Sequence, residues 1–369
     1  MKKPRILVIE NSIAVTGALN SILRSSNGLR DKFEFIFVLP TESTAYQHVR
    51  DQGFITVAIP LREIRKDPVA LLTYLPALFV NTIRLRRLIA KHRIDLMVVN
   101  DFYNLLPCVY RLIGGRIKHL CYVRFLPSKF PSALVKLWSK LHQHTAFATI
   151  AVSQAVKKEL PVGNAVIIGN ELPSTEVSFH PPSSKILLYP ANYIPGKGHE
   201  YALTSFSSVA KKHSDWTLRF VGGDMGLQKN RAFKQSLITM AKDLGIEHQV
   251  EWQNFSENIS EEYVNAGIVL NFSESESFSM TCLEAMFYGR PVIATRCGGP
   301  SEIINHEEAG LLVDVADTKA MSVAIDRLIS NADERARMAH LSFEIVRKKF
   351  SFENTIGKLG KLYQQALND

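Results

Sequence analysis

ESESFSMTCLEAMFYGRPVIATRCGG, residues 274–299, sits between two short apolar runs. Ahead of it, AGIVLNF (266–272) has the unbroken apolar pattern of a buried strand, and within it GRPVIAT is a turn feeding a second strand. Between them a loop of small and polar residues enters a helix. The loop carries Glu276 and the helix carries Glu284, eight positions on. Strand, loop, helix, strand is a βαβ unit whose polar groups gather at the strand's carboxyl end, where open α/β sheets bind ligands. A helix opening at Ser279 and Met280 presents its first backbone N–H groups to that loop, a setting suited to phosphate. Glu284, one turn in, can accept from a ribose diol, and Glu276 from the hydroxyls of a sugar. Amides for phosphate and carboxylates for polyols together suit a nucleotide sugar. By itself E-x7-E arises readily by chance, leaving Glu276 as a solvated loop residue and Glu284 as a helix-face carboxylate.

The same alternation runs the length of the chain and argues for parallel sheets with crossover helices. Strands are expected at 5–9, 33–39, 56–59, 96–100, 119–123, 149–152 and 165–168, and helices at 15–24, 43–52, 80–92, 133–144 and 154–160, the last capped by Ser153. NELPST (170–175) and HPPSS (180–184) are rich in turn formers and mark an interdomain linker. A fresh series follows, with strands at 186–189, 216–221, 250–252, 268–271, 292–294 and 310–313. Its helices are at 200–212, 233–244, 280–288, 318–330 and 332–349, and an amphipathic helix at 352–367 ends the chain. The expected fold is α/β, two Rossmann-like doubly wound domains facing a cleft, over 1–178 and 185–350. A length of 369 residues supports two domains.

The net charge of +9 is unevenly spread, with residues 1–180 carrying +12 and residues 181–369 carrying −3. The amino-terminal half is therefore suited to an anionic partner: lipid, a pyrophosphate-bearing acceptor or nucleic acid. Nucleic acid is disfavoured, because no basic module with interleaved aromatics is visible. PVALLTYLPALFVNTIR (68–84) carries no charge before Arg84 and is interrupted by Pro76; Arg84, Arg86, Arg87, Lys91 and Arg93 follow. It reads either as a buried helix or helical hairpin, or as an interfacial segment on a membrane surface. No apolar run reaches the ~18 residues that span a bilayer, and the amino terminus reads as a first strand rather than a signal peptide. Cys108, Cys121, Cys282 and Cys297 show no metal-like spacing and fit reduced, buried thiols in a cytoplasmic protein.

Glu284-Ala285-Met286, GRPVIAT (289–295), Gly298-Gly299, Glu302-Ile303-Ile304 and GLLV (310–313) resemble, in order and spacing, the donor-binding half of retaining GT-B glycosyltransferases of family 4. The resemblance covers about residues 186–365. It implies a nucleotide-diphosphate sugar held by the carboxyl-terminal domain, with Glu276, Phe278, Ser279, Met280 and Glu284 toward the donor. It also implies a glycan or lipid-linked acceptor on the amino-terminal domain, with helix 352–369 packing back on that domain. In ANYIPGKGH (191–199), Lys197 falls on the family's diphosphate lysine, and Asn192 stands where an arginine is usual. As a turn residue, Lys197 has a plain structural reading too. Gly17 resembles the glycine of the family's first loop, which approaches the diphosphate and acceptor. Arg124 occupies a strand end that often carries histidine; it would meet an anionic acceptor or pair with an acid. Asp101 is a further acceptor-side candidate.

The resemblance implies Glu276 and Lys197 as the catalytic pair and transfer with retention, without a cofactor. No metal-gripping DxD pair is present, so metal independence is expected. The pathway expected is cell-surface polysaccharide or lipopolysaccharide biosynthesis, with the protein at the inner face of the membrane. The alternatives are a silent sugar-nucleotide-binding partner of a transferase, for which Asn192 speaks, and a nucleotide-sugar epimerase on the same scaffold.

Overall fold

The computed structural model describes residues 2–61, 68–161, 163, 165–173, 175–256 and 258–369, with residues 68–73 described by backbone alone. The chain divides into two compact units, Met1–Pro173 with Phe352–Asp369, and Ser174–Ser351. Ser174, inside the expected linker, lies outside the described residues, as do the side chains at the start of the 68–84 segment.

The first unit alternates β1 (Arg5–Ile9), α1 (Gly17–Gly28), β2 (Glu34–Pro40), α2 (Tyr46–Asp51), β3 (Ile55–Ile59), α3 (Pro68–His92), β4 (Leu96–Val99), α4 (Leu106–Leu112), β5 (His119–Val123), α5 (Ser132–Thr145), β6 (Ala148–Ala151), α6 (Gln154–Glu159) and β7 (Ala165–Ile167). The strands are all parallel, in the order β3-β2-β1-β4-β5-β6-β7. Ile6, Leu7, Val8 and Ile9 are fully buried, as are Leu96, Met97, Val98 and Val99. Such continuous apolar runs are what a strand covered on both faces requires. Ser153 caps α6, its hydroxyl accepting from Val156 N at 3.1 Å.

The second unit runs β8 (Ile186–Pro190), α7 (His199–Ala210), β9 (Thr217–Val221), α8 (Gln228–Asp243), β10 (Val250–Gln253), α9 (Ile259–Val264), β11 (Ile268–Asn271), α10 (Met280–Phe287), β12 (Val292–Thr295), α11 (Pro300–Ile303), β13 (Leu311–Val313), α12 (Thr318–Ser330) and α13 (Ala332–Lys349). Its parallel strands are ordered β10-β9-β8-β11-β12-β13. In each sheet the order reverses beside the first strand, between β1 and β4 and between β8 and β11. Loops leaving those strands diverge there and open the crevice in which such sheets hold ligands.

The last helix, α14 (Phe352–Asn368), belongs to the first unit and lies against β4. The helix expected at 80–92 is longer: α3 is a single helix carrying Pro76 inside it, so the hairpin reading is set aside. It is also not wholly buried. Leu78, Asn81, Thr82, Leu85, Leu88 and Ile89 face the core, while Leu75, Phe79, Val80 and Ile83 are exposed. Among the described residues no helix is long and apolar enough to cross a membrane.

Candidate active site

The site in the second unit grows from the loops that follow β8 and β11. After β8 the chain turns through Gly196 and Gly198, both at positive φ, and enters α7. Gly198 cannot be replaced by a residue with a side chain without movement: a Cβ there would lie 2.0 Å from the Phe272 carbonyl oxygen. That close approach brings the loop of Lys197 against the loop of Glu276. Glu274 N donates to Gly196 O at 3.0 Å. The Tyr189 hydroxyl accepts from Phe272 N at 3.0 Å and donates to Lys197 O at 2.5 Å, stapling both loops to β8. Tyr201 donates to Glu274 at 2.9 Å.

Lys197 Nζ lies 2.8 Å from Glu276 Oε1, with the lysine side chain 35% and the glutamate 17% exposed. The same Oε1 accepts from Ser273 Oγ at 2.8 Å. The Glu276 carboxylate, outweighing the opposing effect of burial, raises the Lys197 pKa, so the lysine stays charged. The Glu276 backbone is fixed as well: its N–H donates to Cys297 O at 3.0 Å and its carbonyl accepts from Gly299 N at 2.8 Å. A cation and a carboxylate are thus held together at the reversal point of the sheet, each on a loop tied at both ends.

α10 begins at Met280, with Ser279 as its cap in a left-handed conformation (φ 80°) that is costly for a residue with a Cβ. Ser279 Oγ accepts from Cys282 N at 3.3 Å and from Asn271 Nδ2 at 2.8 Å, which holds it there. Glu284 is half-buried on α10. Burial foremost, then the neighbouring Glu284 carboxylate, pushes the Tyr263 hydroxyl of α9 well above its usual range.

Asn192 and Phe278, both expected on the donor side, are held by local contacts. Asn192 Oδ1 accepts from Gly223 N at 2.9 Å, fastening the loop after β9. Phe278 is buried with its ring edge-on to Phe350, 5.8 Å between centroids, so its side chain packs in the core. Arg290, in the GRPVIAT motif, is buried too. Its guanidinium donates to the carbonyls of Tyr288, Ala266 and His180, and burial lowers its pKa to about 10.

In the first unit, the β1–β4 reversal point gathers Glu10, Asn100, Asp101 and Arg124. Glu10 is buried and accepts from Ser12 N, Ser12 Oγ and Asn100 Nδ2. Burial, and next the Glu10 carboxylate, pushes Asp101 well above the usual carboxylate range. Arg124 Nε donates to Asn100 Oδ1 at 2.5 Å and its Nη1 to Asn170 Oδ1 at 2.8 Å, while its guanidinium covers the Tyr122 ring at 4.3 Å. Gly17 opens α1 beside the cap Thr16 and is exposed, with open space where a Cβ would go. Sequence reasoning named Arg124 and Asp101 but missed Glu10, Ser273, Tyr189 and Tyr201, which no local motif marks.

Two parallel-sheet Rossmann-like units, each with its strand order reversing beside its first strand, define the GT-B class. HepE from Anabaena, in its complex with UDP-glucose, superposes over 98% of this chain and 99% of its own with a TM-score of 0.83 at 17% identity. The family model for glycosyl transferases group 1 matches residues 173–342, and that for glycosyltransferase family 4 matches residues 15–162. The chain belongs to the group 1/family 4 glycosyltransferases. An uncharacterized glycosyltransferase of Haemophilus influenzae is 25% identical over 75% of this chain and 78% of its own length. A D-inositol 3-phosphate glycosyltransferase of Corynebacterium urealyticum is 31% identical over 50% of this chain, a match that spans only 44% of that relative.

Proposed function

We propose that this glycosyltransferase moves a sugar from a nucleoside-diphosphate donor to a glycan or lipid-linked acceptor, with retention and without a metal. The Lys197–Glu276 pair carries the reading, since it sets a fixed cation beside a carboxylate at the reversal point of the donor-side sheet. Lys197 and the amino end of α10 take the diphosphate. Glu276 accepts from the sugar hydroxyls and Glu284 from the ribose. As the glycosidic bond to phosphate breaks, charge builds on the leaving diphosphate, and Lys197 is in place to stabilise it. The departing phosphate oxygen takes the proton of the acceptor hydroxyl as that hydroxyl attacks the same face. Glu276 is engaged by Lys197 and Ser273 through one oxygen, which suits a positioning role better than that of a nucleophile. Trapping a sugar covalently on Glu276 would overturn this mechanism.

The acceptor side of the proposal rests on α3. Its exposed Leu75, Phe79, Val80 and Ile83 are joined by exposed Leu112 and Ile113 at the end of α4, which packs on α3. Exposed Arg84, Arg86, Arg87 and Lys91 follow on α3, and Arg86 donates to the Ile113 carbonyl at 3.0 Å. Apolar residues beside cations suit the anionic inner face of a membrane, where lipid-linked acceptors of polysaccharide or lipopolysaccharide assembly reside. HepE's complex makes UDP-glucose the first donor to try.

A thermal-shift screen of nucleotide sugars, followed by turnover with and without acceptor, tests the reading. Transfer requires that nucleoside diphosphate be released only when acceptor is present. A changed sugar without acceptor would mean an epimerase, and binding without turnover a silent partner.

A further inference from the structure

Beneath the first sheet, three elements that share no sequence motif bring three ligand-type atoms together. Cys108 comes from α4, His119 from the start of β5 and His142 from α5, and all three are fully buried. Cys108 Sγ lies 3.4 Å from His142 Nδ1 and 4.0 Å from His119 Nε2, and the two nitrogens are 3.4 Å apart. Bonds of about 2.0–2.1 Å to nitrogen and 2.3 Å to sulfur, spread around one ion, leave such atoms roughly 3.3–3.8 Å from each other. The triangle therefore has the size of a coordination set without any rearrangement of the backbone.

The hydrogen bonding of His142 is a second, independent indication. Its Nε2 lies 2.8 Å from the Phe102 carbonyl oxygen, which can only accept, so Nε2 carries the ring proton and Nδ1 presents a lone pair to the cluster. A histidine whose far N–H is fixed by a carbonyl is the usual arrangement of a metal ligand. That one lone pair faces both the Cys108 thiol and His119 Nε2. His119 Nδ1, buried, has no hydrogen-bond partner among the described residues. A set of one thiolate and two neutral imidazoles forms when a cation displaces the thiol proton.

We propose that Cys108, His119 and His142 form a three-coordinate site for a monovalent thiophilic cation, Cu⁺ in chemical type. Thiolate and imidazole select soft or borderline metals over Mg²⁺ or Ca²⁺. Charge decides between the remaining candidates. Cu⁺ displaces the thiol proton, which leaves for solvent, and the resulting cation–thiolate pair is neutral. Zn²⁺ with the same ligands would leave a net positive charge in a dry interior, where an uncompensated charge is expensive. Among the described residues no fourth His, Cys, Asp or Glu joins the group, whereas Zn²⁺ normally takes four ligands. The site is separate from the transfer chemistry proposed above and does not rest on it. It would tie α4, β5 and α5 to Phe102 beside Asp101, and so brace the acceptor-side loop.

The test uses the full chain, expressed with copper, purified without oxygen and washed with a Cu⁺ chelator. About one equivalent of copper per chain is expected to remain. Cys108→Ser and His119→Gln are expected to lose it, whereas Cys121→Ser keeps it. The wild-type melting temperature should rise with copper, and that of Cys108→Ser should not. X-ray absorption on the loaded wild type, which needs no variant to fold, should find one sulfur and two nitrogens around the metal. Retained copper far below one equivalent, a different ligand set, or Zn²⁺ bound in its place would overturn the proposal.

Discussion

Under the proposed mechanism, Lys197 and Glu276 should matter more to catalysis than to stability, and the difference is measurable. The lysine is 35% exposed and solvent screens the pair, so the bridge contributes at most about 1 kcal/mol to folding. Lys197→Met should therefore move the melting temperature by only about 2–4 °C. A cation that stabilises a leaving diphosphate is worth far more in the transition state: kcat should fall by about 10²–10³-fold. Steady-state kinetics and a thermal melt on the same sample check both halves. Glu171, in the first unit, is the opposite case. It is buried, accepts from Ser25 Oγ at 3.0 Å, and lies near Arg24 and Arg124, yet burial outweighs these partners and lifts its pKa from 4.5 to about 7. Between those values the folded chain keeps a proton that the unfolded chain has released, so stability falls as pH rises from about 4.5 to 7 and levels off above. The full loss is on the order of 3 kcal/mol. Glu171→Gln should abolish that slope and be the more stable protein at pH 8. Urea melts across pH that show the same slope in both proteins would refute the assignment.

At the scale of elements, the loop-to-helix junctions carry the strain, and two substitutions separate its sources. Gly198→Ala meets both a positive φ of 76° and the Phe272 carbonyl at 2.0 Å. The conformation costs about 1–2 kcal/mol and the clash adds a further 1–3 kcal/mol, so urea unfolding should show a loss of about 3 kcal/mol. Ser279 pays the conformational cost already and offsets it with its cap. Ser279→Ala keeps the strained φ and loses the cap, a cost of about 1–2 kcal/mol. Ser279→Gly relieves the strain and should be the more stable of the two variants by about 1 kcal/mol; the reverse order would remove strain from the account. These junctions also show what could be read beforehand. Lys197 and the Glu276–Glu284 block stand out because ligand-binding loops lie at strand ends, and buried parallel strands such as β4 and β11 announce themselves as apolar runs. The helices α4, α9 and α11 did not, since each is too short to repeat an apolar period. α8 begins five residues earlier than expected, because QKNRA (228–232) carries no large apolar residue to extend the helical period and only Asn230 of it is buried. Tyr189 and Tyr201 reach the Glu276 loop from β8 and α7, and Cys108, His119 and His142 come from α4, β5 and α5, whose packing no local pattern announces.

At the scale of the whole molecule, the two halves were legible from the linker and the restart of alternation, but the strand order was not, because alternation alone does not say which strands neighbour each other. The reversal beside β1 and β8 is what turns scattered strand-end residues into sites. The last helix gives this organisation an experimental consequence. Although α14 directly follows α13 of the second unit, its apolar face is spent on the first. Ile356, Leu359, Leu362, Tyr363 and Ala366 are buried, and Phe352 lies against Gly28 of α1. Tyr363 meets Phe33 and Phe35 at centroid distances of 5.7 and 6.4 Å. Large apolar side chains contribute about 1.5–3 kcal/mol each when buried, so together they approach the 5–15 kcal/mol that holds an ordinary domain folded. A chain ending at residue 351 should therefore lose cooperative folding in its first unit while the second unit, to which α14 does not belong, still folds. Limited proteolysis of the shortened protein should leave a resistant fragment corresponding to residues 174–351 and degrade the remainder, whereas the full chain protects both units. If the shortened protein resists digestion across both units, α14 is dispensable and the first sheet is covered by its other helices alone.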